Sequence, residues 1–148
     1  MLTHYILNFA HPLNPKIIAQ LSPCIQIKVP FHMDLAKATY PQVVSAVNGA
    51  SKLMEEKGGV LDGSFPIIFV PPTLSEAAIL MISEIHGRTG IFPKMLSIRR
   101  HDDEWLLFGN SSKIGVVDLN LVRGQARGRR GRGRREFLND IHASQYSQ

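Results

Sequence analysis

The sequence predicts an α/β fold, a mainly parallel sheet flanked by helices. Three observations carry that prediction. Apolar, β-branched-rich runs alternate with stretches whose apolar residues recur at helical spacing. Prolines and glycines stand at the borders between them, at Pro30, Gly58-Gly59, Pro71-Pro72 and Gly87. The stretch Phe65–Pro93 holds an entire strand and helix, and Lys94–Arg99 supplies the next strand. Strand, helix and strand in that order form the crossover unit that joins parallel neighbours. Repeated along the chain, the order β-α-β-α-β-α-β is that of a Rossmann-like sheet.

His4–Phe9 is a short apolar first strand. It runs into Asn8-Phe9-Ala10-His11-Pro12, a loop of small and polar groups. Pro12 or Asn14 opens a short helix through Leu21, with Leu13, Ile17, Ile18 and Leu21 on one side. Ile25–Val29 is the second strand, closed by Pro30. Phe31–Thr39 has no clear period and reads as a loop with a turn of helix. Thr39-Tyr40-Pro41-Gln42 has the capping-box pattern, and Val43, Val44, Val47, Ala50 and Met54 line a helix to Lys57. Gly58-Gly59 stops it.

Phe65–Val70 is the third strand, stopped by Pro71-Pro72 because proline brings no N–H to the ladder. Thr73 with Glu76 makes a second capping box. Leu74, Ala77, Ala78, Met81, Ile82 and Ile85 form one helix face, and Gly87 is placed to end it. After the fourth strand, Arg100–Glu104 is a solvated charged turn. Trp105–Phe108 and Ile114–Leu119 flank Gly109-Asn110-Ser111-Ser112, which predicts an antiparallel hairpin at the sheet edge.

A chain of 148 residues with 44% hydrophobic residues supports one domain with a real core. No apolar run approaches the eighteen or so residues of a membrane span, and Met1–Ala10 lacks the basic start of a signal peptide. A lone Cys24 excludes an internal disulfide framework, so a cytoplasmic protein is expected. No histidine or cysteine pair has metal-ligand spacing, and no strand leads into G-x-G-x-x-G. Neither a metal nor a dinucleotide cofactor is expected. Asp102, Asp103 and Glu104 lack the partners a metal or acid–base site needs. The net charge of +5 is local: residues 1–122 hold ten cations and ten anions. The excess lies in residues 123–148, whose seven arginines face Glu136 and Asp140. The predicted organisation is thus a neutral body, 1–122, and a basic Arg/Gly tail, 123–148.

Ligands of open parallel sheets bind beyond the carboxyl ends of the strands. If the first and third strands are parallel neighbours, the loops Asn8–Leu13 and Pro71–Ser75 meet there. Asn8 can hydrogen-bond a base or ribose, His11 can meet a phosphate, and the amides opening the helix after Thr73 suit an anion. The candidate ligand-binding residues are Asn8, Phe9 and His11 from one loop and Pro72, Thr73, Leu74 and Ser75 from the other. Plain helix capping by Thr73 explains the same pattern. His86 and Arg88 either compensate the negative end of their helix or form a second polar surface. Arg123 and Arg127 open the basic tail, where arginines neutralise phosphates, though frequent glycine disfavours a helix and a disordered solubilising tail is the alternative.

LNFAHPL (Leu7–Leu13), PPTLSEAA (Pro71–Ala78) and HGRTGIFP (His86–Pro93) resemble a family of small CRISPR-associated proteins. These are the Csx-type accessory proteins of type III systems, built as a stand-alone CARF-like (CRISPR-associated Rossmann fold) domain. The resemblance covers roughly Leu2–Asp118 and implies a homodimer that binds a cyclic oligoadenylate, foremost cyclic tetra-adenylate, across its two-fold axis. It leaves two activities open. One is sequestration of the second messenger; the other is cleavage of it by a ring nuclease, with His11, Ser75 and Arg88 as candidates. No convincing catalytic constellation stands in the sequence, so sequestration is expected. A ligand-bridged higher oligomer is compatible with the His86–Pro93 face and the basic tail. Neither a membrane nor duplex DNA is an expected partner. An RNA-binding protein acting through the Arg/Gly tail is the remaining alternative.

Overall fold

In a computed structural model, which describes residues 3–21, 23–101, 104–107 and 115–130, the chain runs β1 (His4–Asn8), α1 (Pro15–Gln20), β2 (Cys24–Lys28), α2 (Thr39–Glu56), β3 (Ile67–Val70), α3 (Ser75–Thr89), β4 (Lys94–Leu96), β5 (Ile98–His101), β6 (Glu104–Leu107), β7 (Val116–Asp118) and α4 (Leu119–Arg129). One sheet has the order β2-β1-β3-β4-β7, and β5 pairs with β6 in a separate antiparallel ribbon. The pairings among β2, β1, β3 and β4 are parallel; β7 alone runs against its neighbour. The α/β class and the mainly parallel sheet are those the sequence predicts.

Every residue of β3, and the last four of β1, are buried, as expected for central parallel strands covered on both faces. Leu7 stands level with Ile27 on one side and Phe69 on the other. Side chains then alternate between two cores. Tyr5, Leu7, Ile67 and Phe69 pack beneath α2 and α3, which contribute Val43, Val47, Met54, Met81 and Ile85. Ile6, Ile68, Val70 and Leu96 face the other way and meet Ile17 and Leu21. So the chain leaving β1 crosses one face and the chain leaving β3 crosses the other. That divergence is a topological switch point, and a crevice opens there.

Several local expectations need correction. The third strand begins at Ile67, not Phe65: Pro66 has no N–H to pair, and Phe65 instead sets its ring edge-on to Tyr5 at 5.6 Å. Neither capping box forms. After Pro71-Pro72 the chain bends at Thr73, and Leu74, in extended conformation, is the N-cap of α3, with no side-chain bond, so Thr73 stands one residue too early. In α2 the cap is Ala38. Gln42 does reach back, but to the loop: its Oε1 accepts from Asp34 N–H at 2.8 Å and its Nε2 donates to the Ala38 carbonyl at 3.0 Å.

The third helix runs through Gly87 and ends at Gly90, whose φ of 76° is the left-handed cap Gly87 was expected to supply. The fourth predicted strand breaks at Ser97, where the chain turns from the main sheet into the ribbon. The predicted edge hairpin is also different. The strand at Trp105 pairs backward with β5, while β7 pairs with β4, placing Met95 opposite Val117. The Gly109–Ser112 turn lies outside the described residues. The start of the Arg/Gly tail is helical despite its glycines. Asp118 Oδ1 accepts from Asn120 and Leu121 N–H at 3.0 and 3.2 Å, and Arg127 and Arg129 complement the far end of the helix dipole. Helix α4 therefore spans the boundary drawn at 122/123, and residues 131–148 lie outside the described residues.

A polar network joins α2 to α3. Tyr40 donates to Glu84 Oε2 at 2.8 Å; Arg88 donates from Nε and Nη2 to Glu84 Oε1 at 3.1 and 3.0 Å, and from Nη2 to Asn48 Oδ1 at 2.7 Å. The Tyr40 hydrogen bond, then Arg88, hold the Glu84 carboxyl below its ordinary 4.5. A carboxylate depressed on folding stabilises fully above its unfolded pKa, and the benefit is lost as pH falls through the folded value. Glu84→Gln should therefore lower the thermal midpoint at pH 6, with the gap to wild type closing as pH falls from about 4.5. A gap that is constant from pH 6 to 3 would contradict this role.

Candidate ligand-binding site

The crevice is built first by Asn8. This residue ends β1, is 2% exposed, and spends its amide on the loop. Ala10 N–H donates to its Oδ1 at 2.9 Å, and its Nδ2 donates to the His11 carbonyl at 3.0 Å. The chain is thereby folded into a turn that carries the His11 side chain to the surface. Phe9 is 1% exposed and packs on Phe69, ring centroids 5.8 Å apart. Asn8 and Phe9 are thus scaffold for the loop and core beneath it.

The second loop is tied to the first by Phe9 N–H, which donates to the Val70 carbonyl at 3.1 Å. Pro72 is buried; Thr73, Leu74 and Ser75 are exposed. Leu74 supplies no side-chain cap, and among the described residues no side chain bonds the first-turn amides of α3, so those donors stay open at the positive end of a 15-residue helix. The two loops bound one cavity of about 710 Å³, whose rim includes His11, Pro12, Asn14 and Thr73 and whose floor includes Ile17 and Leu96. A volume of that size suits a small-molecule ligand. The His11 imidazole has no hydrogen-bond partner among the described residues and stays available.

His86 and Arg88 do not form a shared polar surface. Two residues apart on a helix, they point about 200° from one another. Arg88 is committed to Glu84 and Asn48, whereas His86 stacks on Phe92 with centroids 4.1 Å apart and planes 1° from parallel. The buried His86 Nδ1 has no hydrogen-bond partner among the described residues. Arg123 sets its guanidinium 6.0 Å from the Phe92 ring, and Arg127 is exposed on α4. The candidate residues therefore divide between two edges of the sheet. Those from Asn8 to Ser75 gather at the carboxyl edge; His86 and Arg123 lie at the amino edge of β4.

Asn14, offered by the sequence as an opener of the first helix, does cap α1 by accepting from Lys16 N–H at 2.9 Å, but sequence reasoning did not place it on the cavity it lines. Sequence reasoning also passed over a neighbouring cavity of about 610 Å³ beyond β2, lined by Phe31, His32, Lys37, Gln42 and Ser45 among others. The absence of any period in Phe31–Thr39 hid that one; the only signal was a strand ending in Pro30 followed by His32 and Lys37. Among the described residues, no cluster of three histidine, cysteine or carboxylate groups is placed to hold a metal ion, and no helix is long and apolar enough to cross a membrane.

Comparison with protein-family models gives no match, and comparisons with curated proteins and with solved structures give none either. The fold is a Rossmann-like α/β sheet.

Proposed function

We propose that the chain binds a cyclic oligoadenylate, foremost cyclic tetra-adenylate, and lowers its free concentration by holding it. One observation carries the reading. Two loops from parallel neighbours converge on the switch-point cavity, with exposed His11 and Thr73 on its rim and an open helix N-terminus following at once. Those are donors for phosphate beside an apolar floor for a base. A ring of four nucleotides exceeds one crevice, and its symmetry matches two copies of the crevice brought together in a homodimer. The resemblance of Leu7–Leu13 and Pro71–Ala78 to small CARF-like proteins points to the same ligand.

Holding is favoured over cleaving because cleavage needs a positioned base beside an in-line 2′-hydroxyl. Among the described residues no side chain hydrogen-bonds His11 or Ser75, and Arg88 is spent between the helices. The test is incubation of purified protein with cyclic tetra-adenylate, followed by native gel and by chromatography of the nucleotide. The expected result is a shifted band and an intact ring. A linear product over many turnovers would make the protein a ring nuclease, and no shift at all would discard the ligand. Light scattering at saturating ligand gives the assembly: a mass above the dimer means that one ring bridges two dimers, and a dimer alone removes that possibility.

A further inference from the structure

Helix α4 is unlike the other helices in burying no residue. Arg123, Arg127 and Arg130 recur at i, i+4 and i+7, so three guanidinium groups follow one stripe at steps of roughly 6 and 4.5 Å. Among the described residues no carboxylate pairs with any of the three. The stripe begins at an aromatic pair, the coplanar rings of His86 and Phe92. Arg123 stands 6.0 Å from the Phe92 centroid, at the outer limit of a cation–π contact, so it is free to turn to a phosphate while a base takes up the ring. Exposed Lys94 and Ile91 border the same place and, with Asn120, line a small cavity of about 210 Å³.

We infer that α4 and the His86–Phe92 stack form a binding surface for single-stranded nucleic acid at the amino edge of the sheet, remote from the crevice and independent of its ligand. A cationic track beside an aromatic platform is what an unpaired strand needs: phosphates for the track, the flat face of a base for the ring. In a duplex those faces are hidden. The identity of the cations favours nucleic acid over a lipid surface or an acidic peptide. All seven cations from residue 123 onward are arginine and none is lysine. Arginine binds phosphate through a planar two-pronged fork and stacks on bases, whereas a lipid headgroup layer is served equally by lysine. Gly124, Gln125 and Gly128 also interrupt any apolar face that would enter a membrane.

The test is fluorescence anisotropy of the full chain with fluorescein-labelled 15-nucleotide oligouridylate and oligothymidylate. Pyrimidine probes keep the adenylate crevice out of the readout. Both strands should bind within threefold of one another, and with three phosphates neutralised affinity should fall about twentyfold between 50 and 200 mM salt. Replacing Arg123, Arg127 and Arg130 together by glutamine should weaken binding at least tenfold and flatten the salt dependence. Phe92→Leu should weaken it at least fivefold with the salt dependence unchanged, since stacking releases no counterions. Thermal midpoints confirm that each variant is folded; the three arginines are surface residues, so that variant keeps the test open if Phe92→Leu unfolds. The inference is overturned if the wild-type chain binds neither strand at 50 mM salt, if only one of the two binds, or if the arginine variant binds like wild type. It is equally overturned if substitution of Arg132, Arg134 and Arg135 alone abolishes binding, or if the α4 variant loses phosphatidylserine vesicles but keeps oligouridylate.

Discussion

Thr73→Glu should abolish capture of cyclic tetra-adenylate, raising its Kd by more than a hundredfold in a calorimetric titration. Thr73 is exposed on the crevice rim, immediately before the open amides of α3. In the proposed complex a carboxylate there would face the ring phosphates and compete for those amides. A like charge 5 Å from one phosphate costs about 3 kcal/mol at an effective dielectric constant of about 20, roughly a 200-fold loss. Among the described residues the side chain of Thr73 has no hydrogen-bond partner, so the variant should keep the circular dichroism and melting point of wild type. If its affinity is also wild type, the ligand binds elsewhere.

Gly63→Ala should cost about 3 kcal/mol or more in urea unfolding, from two independent causes. Gly63 has φ of 92°, a conformation an L side chain adopts only under strain. A methyl group there also falls within contact distance of the Thr89 carbonyl oxygen, a backbone atom that cannot swing away. The turn is fixed on both sides: Asp62 accepts from Ser64 N–H at 2.9 Å, and Thr89 donates its hydroxyl to the Ile85 carbonyl at 2.8 Å. Neither can give without moving the end of α3. Because this contact is at the amino edge, the folded fraction of the variant should still bind crevice ligand with wild-type affinity. A variant as stable as wild type would show that the loop has room to relax.

The sheet was legible because burial on both faces writes β1 and β3 as continuous apolar runs and writes α2 and α3 as stripes. Those signals are local and redundant. The pattern falls short where position depends on something it does not carry. A threonine three residues before a glutamate fits a capping box, yet α3 starts one residue later, after an extended Leu74. An antiparallel edge forms, but Trp105 pairs with nearby Arg100 in the separate ribbon, while Val117 pairs with Met95 of the main sheet, a distant pairing that local turn signals do not encode. In α4 the glycines counted against a helix, and the cap from Asp118 counted for it. The crevice itself was readable from two loop sequences. The role of Asn8 was not, because a polar residue at a strand end looks the same whether it faces a ligand or folds its own loop.

The two faces of the sheet are unequally covered, and this bears on how the crevice behaves over time. α2 and α3 anchor four and three buried residues in the larger core, whereas the six-residue α1 anchors Ile17 alone. Short helices with little buried surface open at the low end of a domain's range of local unfolding energies. The His11 loop is attached to that thin layer, and the α3 start belongs to the thick one. Breathing of α1 therefore widens the pocket from one side while the other jaw stays fixed, so a molecule spanning both loops would slow amide exchange in α1 first.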